Sequence, residues 1–347
     1  MLILNAVIFT GCSIFPSLDQ NEKEEAAENA TEETISEMPV IVVKSKEETT
    51  ENFAEDVTEE QQSVAEVTAE DPQGGTGEAT EEPPAASVID KLVCEGGQQV
   101  SLDPSWEYAS FSKINTGSAT YYSAGENRCG LVVGVNAGHG TKGGESVKTY
   151  CHPDMTPKVT GGTTGAGAIE AYAVSSGMSF KSGESEASVN LRLAKFLRDE
   201  LLAAGYDVLM IRDGDDVQLD NVARTVICNN VADCHIAIHF DGDGLDHDKG
   251  CFFISVPDGI KSMPPVESTW HMSEELGTQI VKALSANGHK LHSGGSMAID
   301  LTQTSYSTIP SVDVEYGNQC ADTSDENLQS MAAATVQGIE AFFSVSN

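Results

Sequence analysis

The sequence predicts an α/β fold, a single domain with a mostly parallel twisted sheet flanked by helices, preceded by a disordered acidic tether. Three observations carry that expectation. From about residue 131 to 343, short apolar runs alternate with segments of helical periodicity, the pattern of strands joined by crossover helices that cover both faces of a sheet. Composition changes near residue 88: from Ser13 to Ser87 there are 21 acidic residues against three lysines (Lys23, Lys44 and Lys46), a net of −18. Ahead of this stretch the chain opens on an apolar run, MLILNAVIFTG, that meets Cys12.

The elements follow in order. This eleven-residue, almost wholly apolar run is too short to span a bilayer, which needs roughly 20 apolar residues, so it reads as the end of an export signal. Phe9-Thr10-Gly11-Cys12 resembles a bacterial lipobox, in which the cysteine is lipidated and becomes the mature N-terminus. It departs from that pattern in having no Lys or Arg before the apolar run and Phe9 where leucine is usual. On this reading residues 1–12 are a lipoprotein-type signal segment, Cys12 is the lipidation site, and the protein is exported and lipid-anchored to the outer face of the bacterial cytoplasmic membrane. Residues 13–87 are rich in Glu, Thr, Ala, Ser and Pro, and their only apolar cluster is MPVIVV at Met38 to Val43. Such a segment buries too little apolar area to offset the entropy of ordering it, and its like charges keep it extended. Residues 88–130 lead into the folded domain, expected over 131–347.

Within that domain Leu131 to Val135 is a buried strand ended by Asn-Ala-Gly. Glu186 to Ala204 carries Val189, Leu193, Phe196, Leu197 and Leu201 at helical spacing, with Gly205 placed to stop it. A strand follows over Val208 to Ile211, then a helix over Gln218 to Asn230. His235 to His239 and Phe252 to Val256 are strands, and Ser268 to Ala286 is a helix with Leu276, Ile280 and Leu284 on one face. Val312 to Glu315 is the last strand and Asn327 to Phe343 the closing helix. In such sheets the ligand crevice lies outside the carboxyl ends of the strands.

The charge balance excludes some partners. The whole chain has 54 acidic and 19 basic residues, net −35, and what remains outside the tether is still net −17. A phosphate-binding surface needs cations, so no nucleic-acid partner is expected, and a membrane must be reached by an anchor because no polybasic patch exists. The protein is expected to be a monomer. Of eight cysteines, Cys12 is assigned to the anchor, and Cys228 and Cys234, which bracket one helix-to-strand turn, are the expected disulfide pair; no CxxC spacing supports a metal site among them. GGTTG (Gly161 to Gly165) lacks the Gly-Lys-Ser/Thr of a phosphate loop and reads as a flexible stretch lining the cleft. Asp241-Gly-Asp243-Gly begins like a calcium loop, but Phe252 occupies the twelfth position, so a surface turn is expected.

Three polar residues stand where apolar strands end: His139, His239 and Glu315. Side chains on one rim of one sheet converge although distant in sequence. Neutral imidazole and carboxylate suit zinc, and a catalytic zinc takes three protein ligands plus water.

At these residues the chain from about Lys113 to Phe343 resembles the zinc-dependent N-acetylmuramoyl-L-alanine amidases, particularly the clostridial form. The matching segments, in order, are VGVNAGHG, KVTGGTTG, GESEASVNLRLAKFLRDELLAAGYDVLMIR, DNVARTVICNNVADCHIAIHFDG and IPSVDVEYGN. The resemblance implies that His139, Glu186 and His239 hold Zn2+ and that Glu315 is catalytic. Glu184 competes with Glu186, whose distance to Asn190-Leu191 is the family's; a carboxylate there is also favoured by the helix dipole. His235 is expected to pack or cap, and Arg224 to be a structural partner. Departures are Asn136-Ala137 for the usual Asp-Pro, Phe240-Asp241 for Ala-Asn, and Ser305-Tyr306 where clostridial relatives tend to have Asn-Trp; these bear on substrate fit and rate. The implied activity is hydrolysis of the amide between the muramic acid lactyl group and L-alanine of peptidoglycan, with 131–347 as the catalytic domain. Two other readings stand beside it: a zinc peptidase cutting stem or cross-bridge peptides, and a non-catalytic wall-binding regulatory lipoprotein. Loss of any of the four site residues would favour the last, and all four are present.

Overall fold

The structure is a computed structural model that describes residues 97–125 and 127–345. Cys12, the signal segment and the acidic stretch 13–87 lie outside the described residues. Among the described residues ten strands and five α-helices form in the order β1 (Gln98–Ser101), β2 (Ser118–Tyr122), β3 (Val132–Ala137), β4 (Lys148–Tyr150), β5 (Glu170–Tyr172), α1 (Glu186–Ala203), β6 (Asp207–Met210), α2 (Asn221–Val231), β7 (Cys234–Asp241), β8 (Cys251–Ser255), α3 (Val266–Ala286), β9 (Leu291–Ala298), α4 (Thr302–Tyr306), β10 (Ser311–Asn318) and α5 (Asp325–Val345).

Eight strands make one sheet in the order β1-β2-β6-β3-β7-β10-β8-β9, while β4 and β5 pair separately. The centre, β6-β3-β7-β10, is parallel throughout, and antiparallel pairings lie toward the edges at β1-β2, β2-β6 and β10-β8. The fold is therefore the expected α/β arrangement with a mixed, mostly parallel sheet. Val133, Val135, Ile236, Ile238, Val312 and Val314 pack on one face with Leu193, Leu197 and Leu201 of α1 and with apolar residues of α3 and α5. On the other face Val132, Leu209 and Ile211 meet Ala223, Ile227 and Val231 of α2. Each fully buried side chain of this size contributes about 1.5–3 kcal/mol.

Element ends differ from the sequence expectation for local reasons. Strand β3 runs on through Asn136 and Ala137, because Asn136 is buried and its side chain accepts from Arg224. Helix α2 starts at Asn221 rather than near Gln218, because Asp220 caps it by accepting from the Ala223 N–H. Strand β10 continues to Asn318 past a register shift after Glu315. Gly205 does terminate α1, at φ 94°. Strands β1, β2 and β9, which the sequence reading left out, lie at the sheet's two ends. The Cys228–Cys234 disulfide does not form: both side chains are free buried thiols, Cys228 on α2 and Cys234 on β7. No helix among the described residues is long and apolar enough to cross a membrane.

Candidate metal centre

Because β3, β7 and β10 run parallel and adjacent, their carboxyl ends share one rim. Register places Glu315 directly beside His239, and Gly138 just beyond the Ala137–Ile238 pair. His139 follows at φ 62°, a left-handed turn that swings its ring back across the rim. Room for this comes from glycine: a Cβ at Gly138 would lie 2.2 Å from the His239 ring. Glu186 arrives from outside the sheet, in the first turn of α1, where Ser185 caps the helix by accepting from the Ser188 N–H and the free N–H groups favour a carboxylate.

Three atoms converge. His139 Nε2 lies 2.8 Å from Glu186 Oε1, His239 Nδ1 lies 3.0 Å from the same oxygen, and the two nitrogens are 3.1 Å apart. Among the described residues this is the group of His, Cys, Asp and Glu side chains able to hold a metal ion. Its chemistry fits zinc: tetrahedral bonds of about 2.0–2.1 Å imply ligand–ligand edges near 3.3 Å, and two imidazoles with one carboxylate form a common donor set that leaves a fourth position. His139 Nδ1 donates to the Ser175 carbonyl at 2.8 Å, which assigns the tautomer and turns the Nε2 lone pair into the cluster. The second Glu186 oxygen accepts from the Met178 N–H, while Oε1, which also accepts from the Phe240 N–H at 3.2 Å, faces the two imidazoles.

Electrostatics also ask for a cation here. Burial alone would push the Glu186 carboxyl up, but His139 and His239 outweigh it and hold it well below the usual range. Burial would lower His239; the charges of Asp313 and Glu186 instead lift it to about 10, so the cluster draws positive charge into itself. Glu315 is pushed the other way. Its desolvation, then the charge of Asp313, raises it well above the ordinary carboxylate value against the opposing pull of His239. Its Oε2 has no hydrogen-bond partner.

Two buried arginines fix the turn that carries His139. Arg224 donates to the carbonyl of His139 (2.6 Å) and to Ala137, and Arg212 donates to the carbonyls of Ala137, Gly138 (3.0 Å) and Ala187. Arg224 is thus the structural partner expected, and Arg212 joins it by tying the His139 turn to the start of α1. Glu184 is excluded from the centre, since it pairs with Arg192 and accepts from Thr323. His235 sits buried at the start of β7 and is held near pKa 3 by burial and by the charge of Arg224. The Asp241–Asp243 segment closes around Lys249, with Asn318 and Gln319 also donating to Asp243, the surface turn expected rather than a calcium loop. Tyr306, at a departure from the clostridial pattern, is fully buried against Tyr108 and Phe111.

The cleft has two arms that meet at His139, His239 and Glu315. One, of about 460 Å³, runs along Glu145, Ser176, Met178 and Asp241. The other, of about 180 Å³, descends past Asp313, Asn136, Arg224, Gln303 and Tyr172. Gly162 and Thr163 of GGTTG line both, as the sequence reading expected of this stretch. Sequence reasoning missed Asp313, whose only signal is its alternation with Glu315 on β10, and Gly177. A Cβ on Gly177 would lie 2.7 Å from Glu186 Oε2 and from the His139 ring. It also missed the buried His152–Asp300 pair, 3.0 Å apart, which fastens the insertion between β3 and α1 to the loop before α4.

A family model described as N-acetylmuramoyl-L-alanine amidase matches residues 133–341. Among solved structures, the N-acetylmuramyl-L-alanine amidase of Mycobacterium smegmatis is similar at 21% identity with a TM-score of 0.53, covering 62% of this chain and 98% of that one. An N-acetylmuramoyl-L-alanine amidase of Clostridium difficile 630 has 16% identity and a TM-score of 0.46, covering 64% of this chain and 100% of the other. No curated protein matches the chain.

Proposed function

Since the chain belongs to the family of N-acetylmuramoyl-L-alanine amidases (Amidase_3), we propose that His139, Glu186 and His239 hold its zinc and that Glu315 moves the proton during hydrolysis. The protein is an amidase acting on peptidoglycan, and a cell-wall substrate implies an extracytoplasmic place of work. The bond it cuts joins the N-acetylmuramic acid lactyl group to L-alanine of the stem peptide. The observation that carries the site assignment is the triangle of His139 Nε2, Glu186 Oε1 and His239 Nδ1, with edges of 2.8 to 3.1 Å beside an unpartnered Glu315 oxygen.

Zinc, when bound, supplies Lewis-acid polarisation of the scissile carbonyl and lowers the pKa of water from 15.7 toward about 7. The protein's own groups do the rest. Arg212, Arg224 and Ser175 fix His139, and the α1 N-terminus fixes Glu186, so the cluster needs no rearrangement. Glu315, in a poorly solvated position beside Asp313, binds a proton more readily than an exposed carboxylate. It takes that proton from the attacking water and returns it to the departing L-alanine nitrogen.

Cys12, in Phe9-Thr10-Gly11-Cys12, is assigned as the lipidation site that anchors the enzyme to the outer face of the cytoplasmic membrane. Residues 13–87 form the tether, 88–130 the lead-in and 131–347 the catalytic domain; the enzyme acts as a monomer. The site assignment is tested by metal content and lysis: one zinc per chain, with wall-lytic activity lost on chelation and regained with zinc. A preparation that lyses walls equally well without metal would overturn it.

A further inference from the structure

One wall of the cleft presents an aromatic ring that the fold itself does not use. Strands β4 and β5 pair with Lys148 opposite Tyr172. Side chains alternate along β5 and its continuation, so Ala171 and Ala173 are buried while Tyr172 is 41% exposed. Of the aromatic rings lining the cleft, Phe240 is buried and Tyr172 is open to solvent. The Tyr172 hydroxyl makes no hydrogen bond among the described residues. Lys148 Nζ stands 6.0 Å from the ring centroid, the outer limit of a cation–π contact. The backbone beneath this ring is fixed on both sides: the Asn221 N–H donates to the Ala173 carbonyl at 3.1 Å, and the Cys151 N–H to Ile169 at 2.8 Å. The rest of the insertion hangs on the buried Asp300. Its carboxylate accepts from His152 at 3.0 Å and from the Val159 N–H at 2.7 Å, its carbonyl accepts from Lys158, and its own N–H donates to Thr160 Oγ1 at 2.7 Å. An exposed ring on a wall so fastened has little backbone freedom left to lose when a ligand packs on it, and such preorganisation favours binding.

The chemistry of the two arms decides which part of the substrate the ring meets. They join at the metal centre, so the sugar side of the scissile amide extends along one arm and the peptide side along the other. The wider arm carries the carboxylates of Glu145 and Asp241, and a muramoyl sugar, whose lactyl carboxyl is tied up in the amide, has no cation to meet them. The accessible lining of the narrower arm is neutral, with Thr163, Thr164, Asn221 and Thr302 beside Tyr172, hydroxyls and an amide that match sugar hydroxyls. Its cations, Lys158 and Arg224, are buried and engaged by backbone carbonyls. A glycan strand continues past the muramoyl residue in both directions, so it has to lie over an open rim, and an exposed ring stands there. We propose that Tyr172 is a substrate-binding residue whose ring packs against the C–H face of the muramoyl sugar, placing the glycan on the β5 side of the metal centre. This rests on the amidase reading for the identity of the substrate.

The experiment is equilibrium binding of N-acetylmuramoyl-L-alanyl-D-isoglutamine to the zinc-loaded full chain, in the parent, Tyr172→Ala and Tyr172→Phe, with zinc content measured on each sample. Losing the apolar contact of one sugar face should weaken binding about threefold to tenfold in Tyr172→Ala. Tyr172→Phe keeps the ring and should bind as the parent does, and zinc content should be unchanged in both variants. A second probe, N-lactoyl-L-alanyl-D-isoglutamine, carries the same lactyl group and peptide without the sugar, and should bind the parent and Tyr172→Ala equally. Equal affinity of these two proteins for the sugar-bearing probe, including no binding by either, overturns the proposal. An equal loss with the sugarless probe overturns it too, since the ring would then meet the peptide. So does loss of zinc in Tyr172→Ala, which would make the ring a support for the centre. Product analysis with the parent enzyme is independent of this readout, so a failure of the amidase reading would show there and not in the affinity ratio.

Discussion

Two glycines with matching positive φ permit a controlled test of how the metal centre is packed. Gly177 and Gly143 have φ of 81° and 80°, and alanine at either position costs about 1–2 kcal/mol for the left-handed backbone. Their surroundings differ. A Cβ on Gly143 meets nothing within 4 Å, whereas one on Gly177 lies 2.7 Å from Glu186 Oε2, 2.7 Å from His139 Cδ2 and 2.9 Å from His139 Nε2. Gly143→Ala should therefore lose stability only, which for a folded unit of this size is a fall in Tm of about 2–8 °C. Gly177→Ala should lose a similar amount and also displace two ligands. Disturbing the groups that orient ligands costs about 10–100-fold in metal affinity, and that is the drop expected, read by competition with a chromophoric zinc chelator at pH 7. If Gly177→Ala binds zinc as tightly as Gly143→Ala, the packing of Glu186 and His139 described above is wrong.

Other consequences follow from single groups. Glu315→Gln should retain one zinc per chain yet lose about 10²–10⁴-fold in turnover; undiminished activity would remove its assigned role. His235 is held near pKa 3 in the fold against about 6.5 unfolded, so the unfolded chain binds the extra proton first. The stability present above pH 6.5 should drain away as pH falls toward 3, by about 1 kcal/mol per pH unit, and His235→Gln should flatten that slope in urea titrations. Asp220 caps α2 and also accepts from Ser112 Oγ and the N–H groups of Lys113 and Ile114. Asp220→Ala should cost about 3–5 kcal/mol in the same titrations, and a loss under 1 kcal/mol would show that those donors find other partners.

How far the sequence could be read follows from where information is local. His139, His239 and Glu315 were visible because each ends an apolar run, and a parallel sheet brings strand ends to one rim. Glu186 was distinguishable from Glu184 only through the resemblance to a family; the structure separates them by the partners of Glu184, Arg192 and Thr323. Strand β9, LHSGGSMA, carries no alternation because it pairs only with β8 at the sheet edge and exposes much of its length. In the sequence Asn136 reads as a turn residue that ends β3 at Val135, and only Arg224, 88 positions away, makes it a buried strand residue. Cys228 and Cys234 are close in sequence, which suggested a bridge, yet they occupy different elements as free thiols. Asp313, Arg212 and Gly177 have roles set entirely by tertiary neighbours. The acidic composition excluded a class of partner, while the reacting centre depends on a few individual positions.

The bond that is cut is the claim everything else serves. Mass analysis of muropeptides after digestion of peptidoglycan by the full chain, with and without chelator, tests it directly. The account predicts free stem peptides beginning with L-alanine, released only when zinc is present. Products cleaved within the stem or cross-bridge, or the same release in chelator, would contradict it.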